Sequence, residues 1–144
     1  MPDILRFDFG PAGKAMEGYI KVTAADAYDA ERGYGFTDCS LVTGRVREGM
    51  HGLEADFCIP LGTSFVVDVP GGTYLVSILL GDAAAPTCTT LRTNGERLVL
   101  YMRCTAAGQF VRETFTLDVW GEPLKLIFSG ITPRVNAVDI TRSS

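Results

Sequence analysis

The chain has 144 residues, 13 basic and 17 acidic, for a formal charge of -4, with 47% of residues hydrophobic and one histidine. No run of Lys/Arg provides the basic patch that a nucleic-acid partner requires, and no apolar run reaches the roughly 18 residues of a membrane helix, so neither partner is expected. The size suits one domain with a real hydrophobic core, and the opening "MPDILRFDFG" lacks the basic-then-apolar layout of a signal peptide.

From the N-terminus, "ILRFDFG" and "GYIKVT" alternate apolar and polar residues as half-buried strands do. Asp8 lies between Phe7 and Phe9, so it points away from the face those rings bury. Residues 27 to 36, "AYDAERGYGF", have no hydrophobic period and read as an irregular loop. Its Tyr28, Tyr34 and Phe36 beside Asp29, Glu31 and Arg32 combine ring faces with hydroxyl-bonding groups, a mixture suited to a sugar. The competing reading is an aromatic plug at the end of the fold, with Phe36 the first candidate.

His51 sits between glycines in "GMHGLE" without a serine nucleophile signature, and is expected on an exposed loop. "LEADFCI" follows as a strand. "TSFVVDV" places Phe65, Val67 and Val69 on one face, and "PGGT" at 70 to 73 turns the chain into "YLVSILLG". These predict a hairpin whose second strand, apolar on both faces, is central. "LLGDAAAP" begins like the Gly-Asp-Ser block of one esterase superfamily, but Ala83 stands where the nucleophile is needed.

"TCTTLRT" and "RLVLYM" flank "TNGE", whose Asn-Gly step predicts a tight hairpin. "QFVRETFTLDVW" alternates cleanly and ends on Trp120 beside Gly121, expected to cap the core, with exposure for stacking as the alternative. Tyr74 and Tyr101, inside strand patterns, are likewise assigned to the fold. "PLKLIFSG" and "RVNAVDIT" complete nine or ten strands, too many for one open sheet of this length. The expectation is an all-β fold, a two-sheet antiparallel sandwich.

In such a sandwich the first and last strands pair, so Asp8 and Asp139 could reach one hard cation, calcium by its oxygen preference; two solvated acids are the alternative. Cys39, Cys58, Cys88 and Cys104 contain no C-x-x-C pair, and four buried thiols are expected; were they to pair, three connectivities would stand open. With one histidine and no nucleophile motif, the chain reads as non-catalytic.

The stretches "FDFGP", "GYIKVTAADAYDAERGYGF", "FCIPLGTSFVVDVPGGTYLVSILLGDAA" and "FSGITPRVNAVDI" together resemble the β-sandwich domain that precedes the catalytic domain in bacterial rhamnogalacturonan acetylesterase-like enzymes. More distantly they resemble malectin and galactose-binding-like modules. The similarity runs from about residue 5 to residue 141, one domain. It implies a jelly-roll carbohydrate-binding or accessory module of a secreted, extracellular enzyme that degrades plant cell-wall polysaccharide, pectin-type or hemicellulose. It implies an end-loop sugar site to which Tyr34 carries over from a Tyr-Gly context, and it directs attention to Asp82 in the loop after the central strand. Tyr28, Arg32, Tyr34, Phe36 and Asp82 are thus the expected carbohydrate-binding residues. A structural domain that packs on its catalytic neighbour without binding sugar is the rival.

Overall fold

A computed structural model of the chain describes residues 3–143. The strands are β1 (Ile4–Phe9), β2 (Ile20–Val22), β3 (Tyr34–Phe36), β4 (Val42–Val46), β5 (Asp56–Pro60) and β6 (Thr63–Val67). The second half contributes β7 (Gly72–Gly81), β8 (Thr87–Thr93), β9 (Arg97–Thr105), β10 (Phe110–Val119), β11 (Leu124–Thr132) and β12 (Ala137–Arg142). Three short 3-10 turns, at Cys39–Leu41, Gly52–Ala55 and Asn94–Glu96, interrupt them.

Two five-stranded sheets, ordered β10-β7-β12-β1-β2 and β3-β6-β11-β8-β9, face one another, and β4-β5 forms a separate ribbon. Among the described residues every pairing between these strands is antiparallel except the parallel β1–β2 contact. The all-β sandwich read from the sequence is therefore the fold. The strand periodicity explains it: in β10, Leu117 and Val119 are buried while Thr114, Thr116 and Asp118 alternate outward.

Phe65 of β6 is the hub of an aromatic core, its ring centroid 5.1 Å from Phe7, 4.9 Å from Phe9 and 5.4 Å from Phe36, all in edge-to-face contact. Each such pair contributes about 0.5–1.5 kcal/mol beyond the area it buries. These rings come from both sheets and lock β1 and β3 across the sandwich.

Three readings are corrected. The "TSFVVDV"/"YLVSILLG" hairpin does not exist: β6 pairs with β3 and β11, whereas β7, central as expected, pairs with β10 and β12 in the other sheet. "PGGT" reverses the chain, but the reversal carries it across the core. The "TNGE" turn does join paired strands β8 and β9, with Gly95 at φ +70°. Second, the aromatic loop ends in strand β3, held by bridges Ala27↔Phe36 and Asp29↔Tyr34. Third, the cysteines are not four thiols: Cys88 and Cys104 are bonded across the β8–β9 register, while Cys39 and buried Cys58 are free. Burial pushes the Cys58 thiol up to about 12, which makes it inert.

Candidate functional site

Where β6 leaves its sheet, residues 68–71 cross to β7 in the other, and two exposed aromatics are fixed to that crossover. Tyr28 donates its hydroxyl proton to the Asp68 carboxylate, 2.8 and 2.7 Å from the two oxygens. That bond, more than partial burial, raises the phenol pKa, so Tyr28 remains a donor. Asp68 is itself placed by its backbone N–H, which donates to Gly33 O at 2.8 Å. Three residues on, Gly71 has no Cβ because the Trp120 ring lies there: a Cβ would stand 2.5 Å from Trp120 Cε3. Trp120 is 69% exposed, which corrects its assignment to the core; it closes β10 beside the crossover and leaves most of its surface in solvent.

Arg32 and Tyr34 adjoin this surface. Tyr34 is half-buried, its ring 5.1 Å from Phe7, and the Arg32 guanidinium lies 5.0 Å over the ring centroid. Arg32 is held by Asp26 at 3.7 Å and by hydrogen bonds to the carbonyls of Tyr34 and Ala27. The structure thus brings Tyr28, Arg32 and Tyr34 to one end, but Tyr34 rests on the core and carries an arginine as its cover. Phe36 is corrected outright: it has no exposed surface, packs on Phe9 and Phe65, and is the plug.

Gly35 makes this arrangement possible. Its φ is +146°, and a Cβ there would sit 2.3 Å from Tyr28 N, so the β3 backbone touches the 27–28 segment directly.

Asp82 is also corrected as a sugar contact. It is fully buried, and Arg47 grips it with two 2.8 Å bonds from Nε and Nη2 while Arg134 Nε approaches at 3.3 Å. Burial works against its charge, but the Arg47 bonds, the Ala84 N–H and Arg134 outweigh it and hold the pKa at about 2. Asp82 is an anchor for two arginines at the opposite end of the sandwich from Trp120.

Asp8 and Asp139 do not fit a shared calcium ion. β1 and β12 pair as expected, but Asp139 lies opposite Arg6 and faces Arg6 and Arg112, each at 3.9 Å, with Tyr19 donating to it at 3.4 Å. Asp8 is buried with Asp56 around the Lys21 ammonium, 3.6 Å and 2.6 Å away, and accepts from Met16 N. A cation already stands at each carboxylate. Among the described residues no group of three or more His, Cys, Asp or Glu side chains gathers as a metal site. His51 is exposed, as expected.

Sequence reasoning missed Asp68, Arg47 and Arg134, and put Trp120 in the wrong place. The sequence signal for Trp120 was weak but present: glycines at 71 and 121 offer ring room and a chain exit. Nothing in one sequence pairs Arg47 with Asp82, 35 residues away.

A sequence model described as beta-agarase/YxiM esterase-like, galactose-binding domain-like matches residues 5–130. An uncharacterized esterase, YxiM, of Bacillus subtilis strain 168 is 32% identical over 132 residues, which is 88% of this chain and 32% of that protein. The crystal structure of the Bacillus subtilis YxiM protein superposes with a TM-score of 0.82 at 29% identity, covering 98% of this chain and 40% of that one. A Bacteroides uniformis beta-glucuronidase shares the fold at a TM-score of 0.70 and 12% identity, over 98% of this chain and 18% of that one. The chain thus spans about a third of the length of its esterase relative, and the resemblance read from "FDFG", "YGF" and "PRVNAVDI" is borne out.

Proposed function

We propose that this chain, which belongs to the beta-agarase/YxiM esterase-like, galactose-binding-domain-like family, is the non-catalytic glycan-binding module of a larger, extracellular esterase-like polypeptide. The observation that carries the reading is the pairing of two open aromatics on one crossover: Trp120, 69% exposed on Gly71, and Tyr28, tied to Asp68 three residues earlier. A sugar presents an apolar C–H face with hydroxyls at its rim. An indole face supplies the stacking surface, and the Tyr28–Asp68 pair and Arg32 supply the donors and acceptors around it. The ligand is a plant cell-wall polysaccharide, pectin-type or hemicellulose. The Cys88–Cys104 bond supports an oxidising, extracellular setting.

Affinity electrophoresis against rhamnogalacturonan, homogalacturonan, galactan, xylan, xyloglucan and mannan tests this. Retardation by at least one polymer, lost in Trp120→Ala, is expected. Migration unchanged by every polymer would overturn the reading in favour of a domain that docks on its catalytic neighbour.

A further inference from the structure

The outer face of the β10-β7-β12-β1-β2 sheet continues the Trp120 surface. Strand parity fixes which side chains stand on it: Tyr74, Val76, Leu117 and Ile140 belong to the core, so their chain neighbours Thr73, Leu75, Thr116 and Thr141 point the other way. Gly71 and Trp120, one step beyond the Gly72↔Val119 pair, lie on that same outer face. Along the strands from the indole, the first row is Asp118 opposite Thr73, whose hydroxyl donates to the carboxylate at 2.6 Å. The second row runs Thr116, Leu75, Thr141, Ile4 across four strands.

This part of the face is open. Leu75 is 41% exposed although its strand is central, and Ile4 is 46% exposed. Farther along, the face closes: Asp139 stands between Arg6 and Arg112, 3.9 Å from each, and in the following row Leu79, Ala137 and Asp8 are buried. From Trp120 to the Asp139 row the open stretch is about 20 Å along the strands and about 14 Å across them, a footprint of about 300 Å². A stable protein partner needs roughly 800 Å² per side with an apolar centre. Here the footprint is too small, and the apolar side chains are separated: Thr141 lies between Leu75 and Ile4, and the Asp118–Thr73 row lies between Leu75 and Trp120. Among the described residues the Thr116 and Thr141 hydroxyls have no hydrogen-bond partner within the protein. Isolated apolar footholds with hydroxyls and one carboxylate between them match the alternating C–H faces and hydroxyls of a sugar chain.

We propose that the binding surface extends from Trp120 along the outer face of β7 and β10, so that the module takes an internal stretch of a polysaccharide main chain laid along the strands. This rests on the glycan-binding reading above and specifies how that site reads its ligand. Trp120 stacks one sugar, Asp118 and Thr73 bond the hydroxyls of the next, and Leu75, flanked by Thr116 and Thr141, carries a sugar farther on.

The test uses the intact chain with the six polysaccharides named above and with size fractions, from disaccharide to hexasaccharide, of a partial hydrolysate of each. Affinity electrophoresis reads the polymers, competition by the fractions reads the size dependence, and melting temperatures are recorded for every variant. Leu75→Thr removes the second foothold and keeps a strand-forming residue; Thr116→Glu, on an edge strand, obstructs the same path should Leu75→Thr lower stability. The expected result is competition that strengthens stepwise up to the longer fractions. Leu75→Thr and Thr116→Glu should each weaken the hexasaccharide about fivefold and leave the disaccharide unchanged, whereas Trp120→Ala weakens every size. Affinity that is flat from disaccharide to hexasaccharide, or a hexasaccharide bound equally well by wild type and both face variants, would overturn the extended site and leave the glycan-binding reading standing. If none of the six polymers retards the chain, both fall.

Discussion

Trp120 and Gly71 are in contact so close that a single methyl group could not be placed between them: a Cβ on residue 71 would meet Trp120 Cε3 at 2.5 Å and Cζ3 at 2.8 Å. The glycine backbone is the floor on which the indole lies. Gly71→Ala should therefore swing the ring off the crossover. Because Trp120 is 69% exposed, the ring can move into solvent, and the stability change should stay within about 1 kcal/mol. Polysaccharide retardation should fall with it, which denaturation curves and affinity electrophoresis read separately.

Removal of the indole itself makes the sharper comparison. An exposed side chain contributes little to folding, so Trp120→Ala should shift stability by no more than about 0.5 kcal/mol, while the loss of a stacked sugar should cost about 1–3 kcal/mol of affinity. A large fall in melting temperature would instead mark Trp120 as a structural cap.

Gly35 behaves in the opposite way. At φ +146° an L side chain is strained, and its Cβ would lie 2.3 Å from Tyr28 N and 2.4 Å from Ala27 C, atoms of backbone that cannot step aside. Gly35→Ala should destabilise by about 3 kcal/mol or more, detaching β3 from the 27–28 segment and exposing Phe36. Urea unfolding measures it.

What the sequence made legible followed from local periodicity. Phe7 and Phe9 flanking Asp8, and the alternation of β10, specified which faces are buried, and a two-sheet sandwich followed from the number of such segments. The failures share a cause: they depend on which sheet a strand joins. Pro70-Gly71-Gly72 turns the chain identically whether it makes a hairpin or crosses the core, so pairing of β6 with β7 could not be distinguished from their separation. Trp120 went the same way, since its exposure depends on a glycine 49 positions earlier. Asp82 looked like a loop acid because its partners, Arg47 and Arg134, are distant in the chain. Of the candidate site, the Tyr28, Arg32 and Tyr34 neighbourhood was readable, because unpatterned aromatics in a glycine-rich stretch need a special reason. Phe36, at the end of that stretch, faced inward with the β3 pleat.

The cysteine arrangement gives a chemical test. Cys88 and Cys104 close a sequence separation of 16 across neighbouring strands, and reduction should destabilise by about 2–3 kcal/mol. Under native conditions an alkylating reagent should modify half-buried Cys39 ahead of Cys58, whose buried thiol is pushed up to about 12. Intact mass after alkylation of the unreduced, denatured chain should show two modified cysteines; four would mean that the bond does not form.

Two of the buried acids, Asp8 and Asp82, should give opposite pH responses. Asp82 is depressed in the fold, from 3.8 to about 2, so its contribution is complete above pH 4 and disappears as pH falls through the folded value. That loss amounts to about 2 kcal/mol, and Asp82→Asn should forfeit it at neutral pH and flatten the stability curve between pH 4 and 2. Asp8 is raised, first by burial and then by the neighbouring Asp56 charge, against the pull of Met16 N–H and Lys21. A raised carboxyl contributes stability in its protonated form, present at low pH and lost as pH rises through the folded value. Asp8→Asn should therefore hold or raise stability at pH 7, leaving Lys21 paired with Asp56 alone. Guanidinium unfolding of the two variants at pH 3, 5 and 7 checks both signs, and a neutral-pH loss in Asp8→Asn as large as that in Asp82→Asn would show that Lys21 offsets both carboxylates fully.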